Sequence, residues 1–506
     1  MRDQNLPHRK ISKRATCIYV ALAGLFIVFA NPMAWSQQPN LPSLKDSPYA
    51  HAATPHEVLS GSARLLQHYD PSSKLRVALG ITPSKMAAEE KFLQQLQDKS
   101  SPNFHKYLTP EQWNQRFAPS AQDEQAVVDW ATSQGLTVTA RYPNRLMVNV
   151  EGTVATIEQA FRVTINKYDV NGQTEFSNAQ DPVIPANLAT IIGSVDGLNS
   201  IQRMRPARAG AKGIRGPDYS AGPLRQDGPA SHGDSLKMPG KTASASGKSG
   251  QIGSQITNGF YDPTDIFNSN AYDYDALQAQ GHCCNPLHNS GGSPVETSIG
   301  LATDGDFRDS DWLGFHNQYP YLAWYYHRVW VGGTPSCCSD EATLDMEWSI
   351  ATSNSRGSYL DTAQVWVYEA ANGFGDFGTL YQQMLNDNHV RVVNISYGLA
   401  EYTGLSDSVM NTWHAIFNQM VGQGWTIMAA SGDGGASTGC GSSLATIYPG
   451  SDPDIVSVGG SQLGLYSDGT FASEVAWTGD TSSGSCSVND GGSGGGCSAK
   501  WSAPGY

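Results

Sequence analysis

Apolar residues recur with two different periods along the chain, and the change of period divides it. Between residues 51 and about 200, "PSKMAAEEKFLQQLQ" puts Met86, Phe92, Leu93 and Leu96 on one side of a predicted helix. "SAQDEQAVVDWATSQG" supplies a second helix with a serine N-cap and a glycine stop. Strand-like alternation follows in "LTVTARYPNRLMVNVEG", and "FRVTINKYDVNGQTEFS" reads as a hairpin turning at Asn171-Gly172, a dipeptide suited to a two-residue turn with positive φ. Helices alternating with paired strands predict an α+β, ferredoxin-like sandwich.

From Arg203 to Gln255 large apolar residues almost vanish, and Gly, Ser, Pro, Lys and Arg replace them. Such a stretch buries too little to order itself, so it reads as a linker whose basic residues are open to proteolysis. After residue 256 the apolar runs return: "VETSIGLAT", a helix at about 340–352, "TAQVWVYEA", a helix near 376–387, "VRVVNISYG", a helix from about Ser406 to Val421, "GWTIMAASGDGG" and "DIVSVGG". Strands and helices in alternation predict a parallel sheet buried on both faces. Functional groups of such sheets gather beyond the C-terminal ends of the strands.

The first 36 residues follow neither period. Arg2, Arg9, Lys10, Lys13 and Arg14 precede the apolar run "CIYVALAGLFIVFA", and "AWS" ahead of Gln37 offers small residues to a signal peptidase. Residues 1–36 are therefore expected to be a signal peptide, and the product to be secreted or periplasmic with no membrane span after signal removal. Of eight cysteines, Cys17 lies in this segment and the others follow residue 280, which suits an oxidising compartment. Cys486 and Cys497 are the most local pair, while the 283/284 and 337/338 segments could be bridged to each other. Connectivity stays open. A formal net charge of −14 gives no basic field for nucleic acid.

Two features carry candidate chemistry. In "CCSDEATLDMEWSIA", Glu341 and Asp345 are four residues apart and share one face of a predicted helix. In a cleft, like charge and desolvation raise one carboxyl pKa until the two share a proton, which equips a general base for acid conditions. Leu344, Trp348 and Ala351 are expected to bury part of this helix. In "AASGDGGAS" an apolar run meets a Gly-rich turn holding Asp433, whose carboxyl, protonated at low pH, could donate a hydrogen bond to an oxyanion. No HExxH or CxxC pattern is present, and His389 and His414 fall in or beside apolar periodic segments, where they read as structural.

Glu341-Ala-Thr-Leu-Asp345, followed by "NISYG" and then "SGDGG", resembles the sedolisin and kumamolisin group of serine-carboxyl peptidases. Residues 51–200, with "SPNFHKYLTPEQWNQRFAPS", are similar to their pro-kumamolisin activation domain. "DPTDIFNSNAYDYDALQAQG" resembles the opening of their catalytic domain, and "GGSGGGCSAKWSAPGY" a Gly-rich segment midway through it. The resemblance implies an activation domain over 37–202, a linker with a processing site over 203–255, and a subtilisin-like α/β catalytic domain, C-terminally incomplete, over 256–506. It implies an endopeptidase acting on proteins or peptides at acid pH, with Glu341 as general base, Asp345 orienting it and Asp433 as oxyanion acid. It also implies inhibition by the chain's own prodomain, and calcium as a cofactor whose ligands are not among these residues.

Two departures qualify the resemblance. Tyr397 stands where the group often has Trp. The group's nucleophile lies in a Gly-Thr-Ser motif, and none occurs in the 506 residues. The chain is therefore expected to be the N-terminal part of a longer precursor, or else a natural truncation, inactive in this form. The alternative from another class is a secreted binding protein on a peptidase-like scaffold, using the aromatics of "YPYLAWYYHRVW" to contact glycan or protein.

Overall fold

The structure, a computed structural model, describes residues 54–202 and 204–206 and, further on, 263, 287–288, 294–295, 298–320, 326–353, 363–371, 374–401, 405–436, 446–465, 471–477 and 492–502. The expected signal peptide, the linker beyond residue 206, and Cys283, Cys284, Cys440 and Cys486 lie outside the described residues.

The N-terminal unit runs α1 (His56–Leu59), β1 (Arg64–His68), β2 (Lys74–Ile81), α2 (Met86–Gln97), α3 (Pro110–Phe117), α4 (Ala121–Ser133), β3 (Thr137–Arg141), β4 (Met147–Thr153), α5 (Val154–Phe161), β5 (Ile165–Val170), β6 (Gln173–Asn178) and β7 (Ile192–Asp196). Local signals account for its ends. Ser120 accepts the Asp123 amide at 3.0 Å at the start of α4, and Thr109 forms a capping box with Gln112 on α3. Asn171 and Gly172, at φ 52° and 82°, turn β5 into β6. One antiparallel sheet has the order β3-β4-β2-β7, the ferredoxin-like arrangement, and a second has β1-β5-β6.

Alternation along β2 and β4 gives this sheet two apolar faces. Val77, Leu79, Val148 and Val150 pack with Val127, Ala131, Ile157 and Phe161 of α4 and α5. Ala78 and Met147 point the other way, into a core shared with Phe377, Tyr381 and Trp413 of the C-terminal unit.

The C-terminal unit begins with β8 (Arg205–Pro206), followed by the short ladder of β9 (Leu287–His288) and β10 (Pro294–Val295). Then come β11 (Ser298–Asp304), α6 (Asp309–Gln318), β12 (Tyr326–Val331), α7 (Asp340–Ser353), β13 (Gln364–Ala370), α8 (Phe374–Asp387), β14 (Val392–Ile395), β15 (Tyr397–Ala400), α9 (Asp407–Gly422), β16 (Thr426–Ala430), β17 (Ile447–Tyr448), β18 (Val456–Val458), β19 (Ser461–Leu465) and β20 (Phe471–Ala476). Six strands form a parallel sheet in the order β12-β13-β11-β14-β16-β18. Helices α6 and α7 cover one face through Trp312, Met346 and Ile350, and α8 and α9 cover the other through Leu380, Met384 and Ile416. The architecture is the expected α/β one: a parallel sheet with flanking helices behind an α+β N-terminal unit.

Four details depart from the sequence reading. "VRVVNISYG" is two strands, broken at Ser396. Leu344 is 41% exposed, because α7 buries Ala342, Met346 and Ile350 instead. The aromatic stretch contains an edge strand, β12, not placed from the sequence, where Tyr326 packs on Phe307 and Trp312, with Tyr319 and Val329 buried nearby. Met204, inside the stretch read as linker, is buried in the shared core.

Candidate functional site

The loop that starts α7 is held from both ends. The Asp306 amide donates to Ser336 O at 3.0 Å, and the Ser339 amide donates to Asp306 O at 2.7 Å. Cys337 and Cys338 lie between them with their sulfurs against each other. Ser339 Oγ accepts the Ala342 amide at 3.2 Å, as an N-cap does, and lies 3.0 Å from the Tyr397 hydroxyl.

Glu341 follows in the first turn of α7, buried at 8% exposure, where the helix N-terminus favours a negative charge. Asp345 is one turn further on, half-buried, and its Oδ1 accepts the Ser396 hydroxyl at 2.8 Å. Burial raises the pKa of the Tyr397 phenol; the bond to Ser339 opposes the rise, and the charges of Asp345 and Glu341 add to it. Both carboxylates therefore bear on one buried phenol.

Asp433 occupies the turn leaving β16, partly buried, after Gly432 at φ +103°. Its carbonyl accepts the Gly492 amide at 2.8 Å, and the Gly494 amide donates to Gly432 O at 2.7 Å, so the Gly-rich segment near 492–494 buttresses the turn. A side chain at Gly494 would collide with Ser431 O, which leaves glycine the fitting residue there. β16 pairs with β14, whose end carries Ser396, so the Asp345 contact and the Asp433 turn lie at the C-terminal ends of adjacent strands, about 4.8 Å apart in the hydrogen-bonding direction.

A buried charge network lies beside this edge and was not anticipated from sequence. Arg328 contacts Asp306 at 3.1 Å, Asp309 at 3.0 Å and Glu369 at 3.4 Å. Burial pushes the fully enclosed Glu369 well above the usual carboxylate range; Asp306 adds to this and Arg328 opposes it. Because the Asp306 carbonyl anchors Ser339, the network fixes where α7 begins. Its only sequence trace is an arginine within the alternating "YHRVWV".

The two units meet at this edge. A cavity of about 900 Å³ is walled by Tyr69, Arg76 and Lys167 on the prodomain side and by Asp304, Cys338 and Tyr397 on the other. The chain leaving the N-terminal unit passes here as β8, antiparallel to β15, with Pro206 opposite Tyr397 and Arg205 opposite Gly398. Away from the edge the prodomain sheet docks on α8 and α9. Asn144 Nδ2 donates to Gln382 and Gln419 at 3.0 and 2.9 Å, Ser194 meets Thr412 at 2.8 Å, and the Leu108 amide donates to Gly422 O at 2.9 Å. His389 is exposed and stacks on Trp366, while His414 is buried beside Asp452, so neither faces the acid pair.

Fold and site together define an α/β protein whose folded N-terminal unit sits over a carboxylate-bearing sheet edge. Residues 62–201 match the family described as the pro-kumamolisin activation domain. Sedolisin of Pseudomonas sp. (strain 101) is 24% identical over 437 residues, covering 84% of this chain and 66% of that protein. Xanthomonalisin of Xanthomonas sp. (strain T-22) is also 24% identical over 437 residues, covering 80% of this chain and 47% of that protein. The solved structure of Pseudomonas sedolisin with two molecules of pseudo-iodotyrostatin is 22% identical, covers 48% of this chain and 64% of that one, and has a TM-score of 0.39. The N-terminal unit thus matches the pro-kumamolisin activation domain family over residues 62–201, and the chain is similar in sequence to sedolisin and xanthomonalisin. It spans about two thirds of the length of sedolisin and about half that of xanthomonalisin.

Proposed function

We propose that the chain is the prodomain-bearing part of an exported serine-carboxyl endopeptidase precursor that hydrolyses proteins in acid. The observation that carries this reading is the convergence of Glu341, Asp345 and Tyr397 at a strand-end site over which the chain just after the N-terminal unit is paired as β8. An added strand on β15 occupies the edge an extended peptide substrate would use, so the prodomain blocks the site by occupying it. Residues 1–36 act as the signal peptide, 37–202 as the activation domain, 203–255 as the linker cut on maturation, and 256–506 as the catalytic domain.

In the reaction, Glu341 takes the proton of a serine hydroxyl as it attacks the scissile carbonyl, and Asp345 shares that proton and orients Glu341. Asp433 in its protonated form donates to the carbonyl oxygen as it becomes an oxyanion. The proton held by the acid pair then passes to the leaving amine. The serine is that of a Gly-Thr-Ser segment, a motif the 506 residues do not contain.

Calcium, implied by the family resemblance, takes six to eight oxygen ligands. The one cluster of metal-ligating side chains among the described residues, His414, Asp452 and Asp454, offers an imidazole and two carboxylates and does not fit it. No step above passes through calcium.

The test is conversion of a purified precursor that includes the serine segment. At about pH 4, where carboxylates can serve as base and donor, linker cleavage followed by casein hydrolysis is expected. An intact linker and no casein hydrolysis would overturn the reading.

A further inference from the structure

We propose that His414, Asp452 and Asp454 form a binding site for a divalent transition-metal ion of the zinc or manganese type, placed under the docked prodomain. The inference stands apart from the peptidase reading. His414 lies in the middle of α9, and the two aspartates lie on the turn between β17 and β18. His414 Nδ1 is 3.0 and 3.1 Å from the two Asp452 carboxylate oxygens and 3.9 Å from Asp454 Oδ2, and one ligand atom from each residue lies within 4.8 Å of the others. The three side chains are 3%, 0% and 7% exposed, so water does not solvate them.

The arrangement asks for more positive charge than a ring proton supplies. One proton on Nδ1 serves one acceptor well, yet three carboxylate oxygens surround it, and Asp454 Oδ2 has no hydrogen-bond donor. Glu90, on α2 of the prodomain, adds negative charge, while Lys500 is held by Asp407 at 3.2 Å. Bonds of about 2.0–2.2 Å around a tetrahedral ion put its ligand atoms about 3.3–3.6 Å apart, between the two N–O spacings seen here.

The surroundings are built as well. The Tyr448 hydroxyl donates to Asp452 Oδ2 at 3.2 Å, the Asp454 amide donates to Asp452 Oδ1 at 3.0 Å, and the Trp501 ring covers His414 with centroids 4.5 Å apart. These contacts orient the ligands from behind. One turn along α9, Asn418 Nδ2 donates to Glu89 of the prodomain at 3.4 Å, so the cluster is closed from above by α2. One imidazole and two carboxylates suit zinc or manganese rather than calcium.

The experiment strips the purified chain with chelator and titrates it with Zn²⁺, and separately with Co²⁺, at about pH 7.5. One equivalent of Zn²⁺ retained through gel filtration and a raised Tm are expected, together with Co²⁺ quenching of tryptophan fluorescence that falls in Trp501→Phe. Asp454→Asn keeps the side-chain shape and removes no hydrogen bond made by Oδ2; it should weaken Zn²⁺ binding at least tenfold, as should His414→Gln. Absence of a retained ion, equal retention by wild type and both variants, or Co²⁺ quenching unchanged in Trp501→Phe would overturn the proposal.

Discussion

Under the prodomain, α8 and α9 present apolar side chains and amide groups that find partners across the seam, as Asn144 does with Gln382 and Gln419. Toward the C-terminal ends of the strands, the same sheet gathers charged groups: Arg328 against Asp306, Asp309 and Glu369, and Asp345 hydrogen-bonded by Ser396. Closely fitted apolar and amide contacts give tight, selective docking with little dependence on pH. Buried charges contribute little net stability but leave protonation states finely poised. The first surface is suited to holding a partner and the second to moving protons, so substitutions on the two should fail in different ways.

The largest difference is expected at Glu341. In a precursor carrying the serine, Glu341→Gln keeps the shape and removes the base, and casein hydrolysis should fall by roughly 10²- to 10⁴-fold while prodomain affinity is unchanged. Gly422→Val tests the docking face: a Cβ at Gly422 overlaps the Trp113 ring of the prodomain, and overpacking of about 1–3 kcal/mol should weaken inhibition by added prodomain roughly 5- to 150-fold. The catalytic rate of the freed enzyme should stay as it was. Asp433→Asn should cost less than Glu341→Gln, because an amide still donates toward the oxyanion, and kcat is the parameter to compare.

The smallest effect concerns stability. Burial, with the nearby Asp311 charge, raises Glu347 on α7 to about 8, so the folded chain holds a proton that the unfolded chain loses near its ordinary value of 4.5. This contribution is complete below about pH 4.5 and is lost as pH rises through 8; Tm should decline across that window, and less steeply in Glu347→Gln. A steeper or unchanged slope would show that the group is not held protonated.

The contrast also marks what the sequence discloses. Period and turn chemistry were sufficient for α2, α4 and the Asn171-Gly172 hairpin, and the four-residue spacing does put Glu341 and Asp345 on α7. The docking surface was hidden because β2 and β4 bury both faces: the alternation signals strand, without saying that Ala78 and Met147 meet another unit. Ser396 and the Arg328 network were hidden for a related reason. Ser396 meets Asp345 across 51 positions and Arg328 meets Glu369 across 41, and such contacts leave no local period. β12 was not placed as a strand because Arg328 and the aromatics around it do not spell an apolar run, and its packing of Tyr326 on Phe307 and Trp312 is non-local.

The most direct test of the central claim, that the acid pair is a catalytic base working at low pH, is the pH–rate profile of kcat/KM for the serine-bearing enzyme freed of its prodomain. The account predicts a maximum in the acid range, about pH 4, governed by the coupled Glu341 and Asp345 carboxyls and abolished in Glu341→Gln. A maximum at neutral or alkaline pH that survives Glu341→Gln would contradict it.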